Sequence, residues 1–113
     1  MSSTERGKRA EQAAAAYLEC RGFTILTLNW RTRYCEIDIV ARSDKTIHFV
    51  EVKYRRSARQ GSGLEYVTPG KLRQMRFAAE SWVAAHDWAG EYVLSAIEVS
   101  GTDYQIDTFI ETI

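Results

Sequence analysis

The residues able to do chemistry fall in two short stretches, Glu36-Ile37-Asp38 and Glu51-Val52-Lys53. Between them, Arg42-Ser43-Asp44-Lys45 is polar and short enough to close an antiparallel hairpin. A hairpin centred between Asp44 and Lys45 sets Asp38 directly across from Glu51. Two carboxylates facing each other across neighbouring strands, with Cβ atoms about 5 Å apart, repel and need a compensating cation. Lys53, on the same strand face as Glu51, brings one positive charge. A divalent ion held by hard oxygen ligands brings the rest, and Mg²⁺ or Mn²⁺ suits such donors better than zinc does. Phosphodiester hydrolysis needs an activated water, a neutralised phosphate and a stabilised leaving oxygen, all within reach of carboxylate-held metal and a lysine. The plainer reading of the same residues is a surface salt bridge between Lys53 and one carboxylate.

The elements that must position these groups can be read along the chain. Ser3 or Thr4 caps a helix running to about Cys20, with Ala10, Ala13, Ala14, Tyr17 and Leu18 on one face, and Gly22 stops it. Phe23–Leu28 reads as a first strand, Glu36–Ala41 as a second and Thr46–Tyr54 as a third. In the third strand Ile47, Phe49, Glu51 and Lys53 share one face, and His48, Val50, Val52 and Tyr54 the other. A basic, glycine-containing loop follows, from Arg55 to Gly63. Thr68-Pro69 then starts a helix reaching about His86, with Leu72, Met75, Ala79, Trp82 and Val83 as its buried stripe. Tyr92–Val99 and Tyr104–Ile110 complete an α/β order of αβββαββ.

The chain of 113 residues, 45% hydrophobic and 27% charged, has the composition of one globular domain spanning 1–113. Its zero net charge hides an asymmetry. All 15 Lys and Arg lie at or before Arg76, against eight acidic residues, whereas the remainder carries seven acidic residues and no Lys or Arg. A basic half of that kind attracts a polyanion. The polar N-terminus and the lack of any long apolar run point to a cytoplasmic protein that does not span a membrane. Cys20 and Cys35 have neither the spacing nor the neighbours of a zinc site and read as packing residues. His48 faces away from Glu51 and reads as a part-buried strand residue, His86 as a helix-end cap.

The segments GKRAEQAAAAYLECRGFTIL, NWRTRYCEIDIVA and IHFVEVKYRR resemble consecutive motifs of the YraN family of bacterial proteins, and VTPGKLRQMRFAAESWV resembles that family's second helix. The family is grouped with Holliday-junction-resolvase-like nucleases. The resemblance implies a restriction-endonuclease-like core, a mixed central sheet flanked by helices with its site on the second and third strands. Carried over, Asp38 and Glu51 correspond to metal ligands with the Val52 carbonyl as a third, and Lys53 to the catalytic lysine. Glu11 corresponds to a helical glutamate that binds metal through water, a role that a solvated helix glutamate would mimic. Glu36 shares the face of Asp38 and ranks last. Ala10 and Cys35 stand where the family pattern has glycine, which permits backbone angles that cysteine resists.

Together these observations predict a Mg²⁺-dependent (or Mn²⁺-dependent) endonuclease acting on nucleic acid, DNA in particular and branched DNA among its forms. Arg55, Arg56, Arg59 and Lys71 would contact phosphates. Related resolvases act as symmetric dimers, so the resemblance implies a homodimer too. The alternative is a non-catalytic module that binds nucleic acid or protein on a nuclease scaffold.

Overall fold

The computed structural model describes residues 3–56 and 67–113. Its elements follow the predicted αβββαββ order: α1 (Ser3–Cys20), β1 (Thr24–Arg31), β2 (Glu36–Ser43), β3 (Thr46–Arg55), α2 (Pro69–Ala85), β4 (Glu91–Ser100) and β5 (Gln105–Ile110). The strands form one mixed sheet in the order β1-β2-β3-β4-β5. All neighbours are antiparallel except β3 and β4, which run parallel. Parallel neighbours need a long crossover, and α2 lies within this one. The architecture is that of the restriction-endonuclease-like core.

Each face of the sheet carries a helix and its own core. Ala10, Ala14, Ala15 and Leu18 of α1 pack on Ile39, Ala41, Val50, Ile97 and Val99. On the opposite face Ala78, Ala79 and Trp82 of α2 pack on Ile37, Val40, Ile47 and Phe49. The small residues of α1 let the helix approach the sheet closely, while Trp82 fills the wider gap on the other side and meets Phe49 edge-on at 5.5 Å. The start of α2 is fixed as its sequence implies: Thr68 Oγ1 accepts from Lys71 N at 3.1 Å and Pro69 occupies the first turn.

Two local details matter for the site. Asp44, at φ 54°, takes the left-handed position of the two-residue turn closed by Ser43 and Thr46, so the hairpin is centred where the sequence places it. The first strand runs three residues beyond Leu28, through Asn29 at φ 53°. Left-handed backbone inside a strand is uncommon, and asparagine tolerates it better than most residues.

The packing role expected of Cys20 is corrected, because its side chain is exposed at the end of α1; Cys35 is half-buried against the α2 core, and both are free thiols. No helix among the described residues is long and apolar enough to cross a membrane.

Candidate active site

The register of β2 on β3 ends at Ile39↔Val50, one pair short of Asp38 and Glu51. Beyond that point the strands no longer exchange backbone bonds. The amide of Val52 donates instead to Asp38 Oδ2 at 2.8 Å. An extended residue directs its carbonyl to the same side as its amide, so the Val52 carbonyl also points toward β2.

Two further irregularities coincide with the break. Ile37 packs on the α2 side and Ile39 on the α1 side, although residues two apart on a regular strand share a face. Across β1, the pairs Leu28↔Ile39 and Trp30↔Ile37 bracket left-handed Asn29, which therefore stands opposite Asp38. The side chain of Asn29 lies close enough to Glu11 on α1 to favour its charged form. Asn29 is thus a site residue that sequence reasoning missed, its one signal being a polar residue inside the run Thr27-Leu28-Asn29-Trp30.

The result is a crowd of acids. Burial, then the charge of Glu51, then Glu11 and Glu36 push the Asp38 carboxyl up from 3.8 to about 7, against the lowering effect of the Val52 amide. Burial, with Glu36 and Glu51 adding to it, raises Glu11 as well, while the Asn29 side chain and Arg31 oppose the rise. Glu36 lies at the rim in an exposed pair with Arg31, 3.2 Å apart, and so remains the outermost of the four. Burial is the larger cause and the neighbouring carboxylates add to it, so a positive charge brought beside Asp38 would favour its ionised form.

The basic residues are placed less uniformly. Lys53 is exposed on β3, two residues beyond Glu51. Lys71 joins the site itself, its Nζ 3.0 Å from Glu51 Oε1. Arg56 is exposed just past β3. Arg55 is placed differently from Arg56: its side chain is only 12% exposed and pairs at 3.6 Å with Glu98, itself 10% exposed. Arg59 lies outside the described residues. His48 is buried and its ring bonds Ser95 Oγ at 3.1 Å, and His86 caps α2 through the carbonyl of Trp82 at 2.9 Å; both stand apart from the acids as expected.

The donor set fits a hard cation that keeps much of its water. The Asp38 and Glu51 carboxylates and the Val52 carbonyl are all oxygen donors, and among the described residues no three His, Cys, Asp or Glu side chains form a ready-made cage. Cys35 does not disturb this arrangement by its backbone, since it is absent from the residues with positive φ. The turn before it is held by Thr32 Oγ1, which accepts from the amides of Tyr34 at 3.1 Å and Cys35 at 3.2 Å.

Residues 10–107, which include every site residue named above, match the profile of the uncharacterised protein family UPF0102. The chain belongs to this family, the YraN family. A UPF0102 protein of Cytophaga hutchinsonii is 32% identical over 106 residues, 94% of each chain. One from Mycolicibacterium vanbaalenii is 41% identical over 83 residues, covering 74% of this chain and 69% of the other. A Bifidobacterium longum relative is 49% identical over 78 residues, 68% of this chain and 63% of its own length. The family resemblance read from the UPF0102 motifs therefore holds across most of the chain.

Proposed function

We propose that this UPF0102 protein is a Mg²⁺-dependent endonuclease that hydrolyses phosphodiesters of DNA, branched DNA among its substrates, with Mn²⁺ able to replace Mg²⁺. The observation that carries the reading is the end of the β2–β3 ladder at Asp38, where that buried carboxylate accepts from the Val52 amide and lies within the charge of Glu51. A divalent cation bound there supplies Lewis acidity toward a phosphate and lowers the pKa of coordinated water. Asp38, Glu51 and the Val52 carbonyl would hold it. Lys53, reaching from the exposed side of β3, orients the attacking water and stabilises the charge that develops on phosphate. Glu11, with Asn29 beside it, would reach such a cation through water.

End-labelled four-way-junction, flap and linear DNA, incubated with Mg²⁺, Mn²⁺ or EDTA, test the proposal. Metal-dependent cutting that drops at least about 100-fold in Lys53→Ala is the expected result. A folded wild type that cuts none of these substrates, or a variant that cuts equally well, sinks it.

One observation favours a second reading. Lys71 already neutralises Glu51 within the fold, as suits a non-catalytic module that binds nucleic acid or protein. That reading expects DNA binding in EDTA that is indifferent to Lys53→Ala.

A further inference from the structure

A cleft of about 590 Å³ opens beside Glu51, between the turn joining β1 to β2 and the outer face of α2. That volume lies within the roughly 300–1,000 Å³ of sites that hold small organic groups. Its α2 wall is Gly70, Lys71, Arg73, Gln74, Met75 and Phe77, of which Gly70, Arg73, Gln74 and Phe77 follow the i, i+3, i+4, i+7 spacing of one helix face, and Glu36 lines the cleft beside Glu51. The facing wall carries Tyr34. Both aromatic rings stand out in solvent, Tyr34 at 77% and Phe77 at 53% exposure. Neither contributes to a core, and the Thr32 turn holds Tyr34 in an ordered backbone. Lys71 and Arg73 line the same cleft, and the Arg33 guanidinium lies 5.9 Å from the Tyr34 ring.

Aromatic faces interleaved with fixed positive charge are what a nucleotide needs when its base is unstacked. A base inside a duplex offers only its edges to a protein, because its faces are covered by neighbouring bases. An unpaired base offers a face to each ring while its phosphate finds arginine or lysine. An apolar peptide would give the polar groups of Arg73 and Gln74 nothing to bond, so the lining favours a nucleotide.

We propose that this cleft is a subsite for an unpaired nucleotide, seated on Tyr34 and Phe77 with its phosphate on Arg73, so that the strand entering the carboxylate site is single-stranded next to the scissile bond. The proposal rests on the nucleic-acid reading above and narrows it to substrates with unpaired segments.

Binding is measured in EDTA, so that it is independent of cutting. Fluorescence anisotropy compares a single-stranded 20-mer with the duplex of the same length, for wild type, Tyr34→Ala, Phe77→Ala and Phe77→Trp, with circular dichroism as the check on folding. A 2-aminopurine placed along the single strand reports stacking at one base. The single strand should bind at least about tenfold more tightly than the duplex, each alanine variant should weaken it about tenfold, and duplex binding should change less than twofold. Phe77→Trp, which keeps a stacking face, should restore binding.

Equal loss on single strand and duplex, unchanged single-strand binding in both alanine variants, or no DNA binding at all overturns the subsite. So does a shift in sedimentation from dimer to monomer in those variants with DNA binding intact, which would make the cleft a protein interface. A wild type that shows the aromatic-dependent preference but never cuts upholds the subsite while the nuclease reading fails.

Discussion

Asp38 is the residue on which stability and function pull apart. Its folded pKa of about 7 lies above its ordinary 3.8, so between those values the folded chain holds a proton that the unfolded chain has released. Stability therefore falls as pH rises through that window and stays low above it. Asn keeps an oxygen for the Val52 amide but carries no charge. Asp38→Asn should accordingly be more stable than the wild type at pH 8, by up to about 4 kcal/mol from a shift of about 3 pH units, with the gap closing near pH 4. Urea unfolding at the two pH values checks this, and added Mg²⁺ should narrow the gap at pH 8 by stabilising only the wild type. An Asn variant less stable at pH 8 would contradict the raised Asp38 pKa. Asp38 and Glu51 were legible in the sequence because period-two alternation and a short turn fix register locally. Arg55 was not: its partner Glu98 lies on β4, beyond α2, and nothing near Arg55 in the chain announces it. Asn29 was half legible, as a polar residue in an apolar run whose left-handed backbone is set by what faces it.

At the scale of elements, the sequence gives strand and helix existence well and their ends less well. β1 outlasts its apolar run because Trp30 and Arg31 pair with Ile37 and Glu36 across β2, a tertiary contact that local propensity does not contain. The closing segment shows the same dependence. His48 on β3, Ser95 on β4 and the carbonyl of Glu111 form one chain of hydrogen bonds, with the Ser95 hydroxyl donating to Glu111 at 2.5 Å and the imidazole therefore donating to Ser95. Ile113 N adds a bond to Leu94 O at 2.8 Å. Ser95→Ala removes one partner of the buried imidazole, which also faces the Glu111 backbone, and should cost about 1 kcal/mol in chemical denaturation. Burial lowers the His48 pKa below its ordinary 6.5, so this region's contribution is present above that value and is lost as pH falls through it. The variant's deficit should consequently shrink in mild acid, where the wild type loses the same interaction. A Ser95→Ala protein as stable as the wild type at pH 8 would show that the tie is incidental.

For the molecule as a whole, strand order equals chain order, and this turns a charge gradient along the sequence into one across the sheet. The β1–β3 side carries the basic excess, and β4 and β5 have no Lys or Arg. A polyanion should approach from the first side, with exposed Arg56 and Arg73 among its contacts. Arg56→Ala and Arg73→Ala should each reduce the slope of log K against log salt for DNA binding by about 1. Arg55→Ala should leave that slope alone and instead cost about 3 kcal/mol in stability, since it strands a buried Glu98. Equal slopes for all three variants would contradict the placement. The same ordering governs how the chain comes off the ribosome. Residues Glu11, Asp38, Glu51 and Lys53 all belong to α1 and the β1–β3 meander, whose antiparallel pairings are local and quick to close. The parallel partner, by contrast, joins Thr46 to Glu91 and must wait for α2. During synthesis the open edge of β3, bearing Glu51 and Lys53, is therefore the seam onto which the acidic half is later laid.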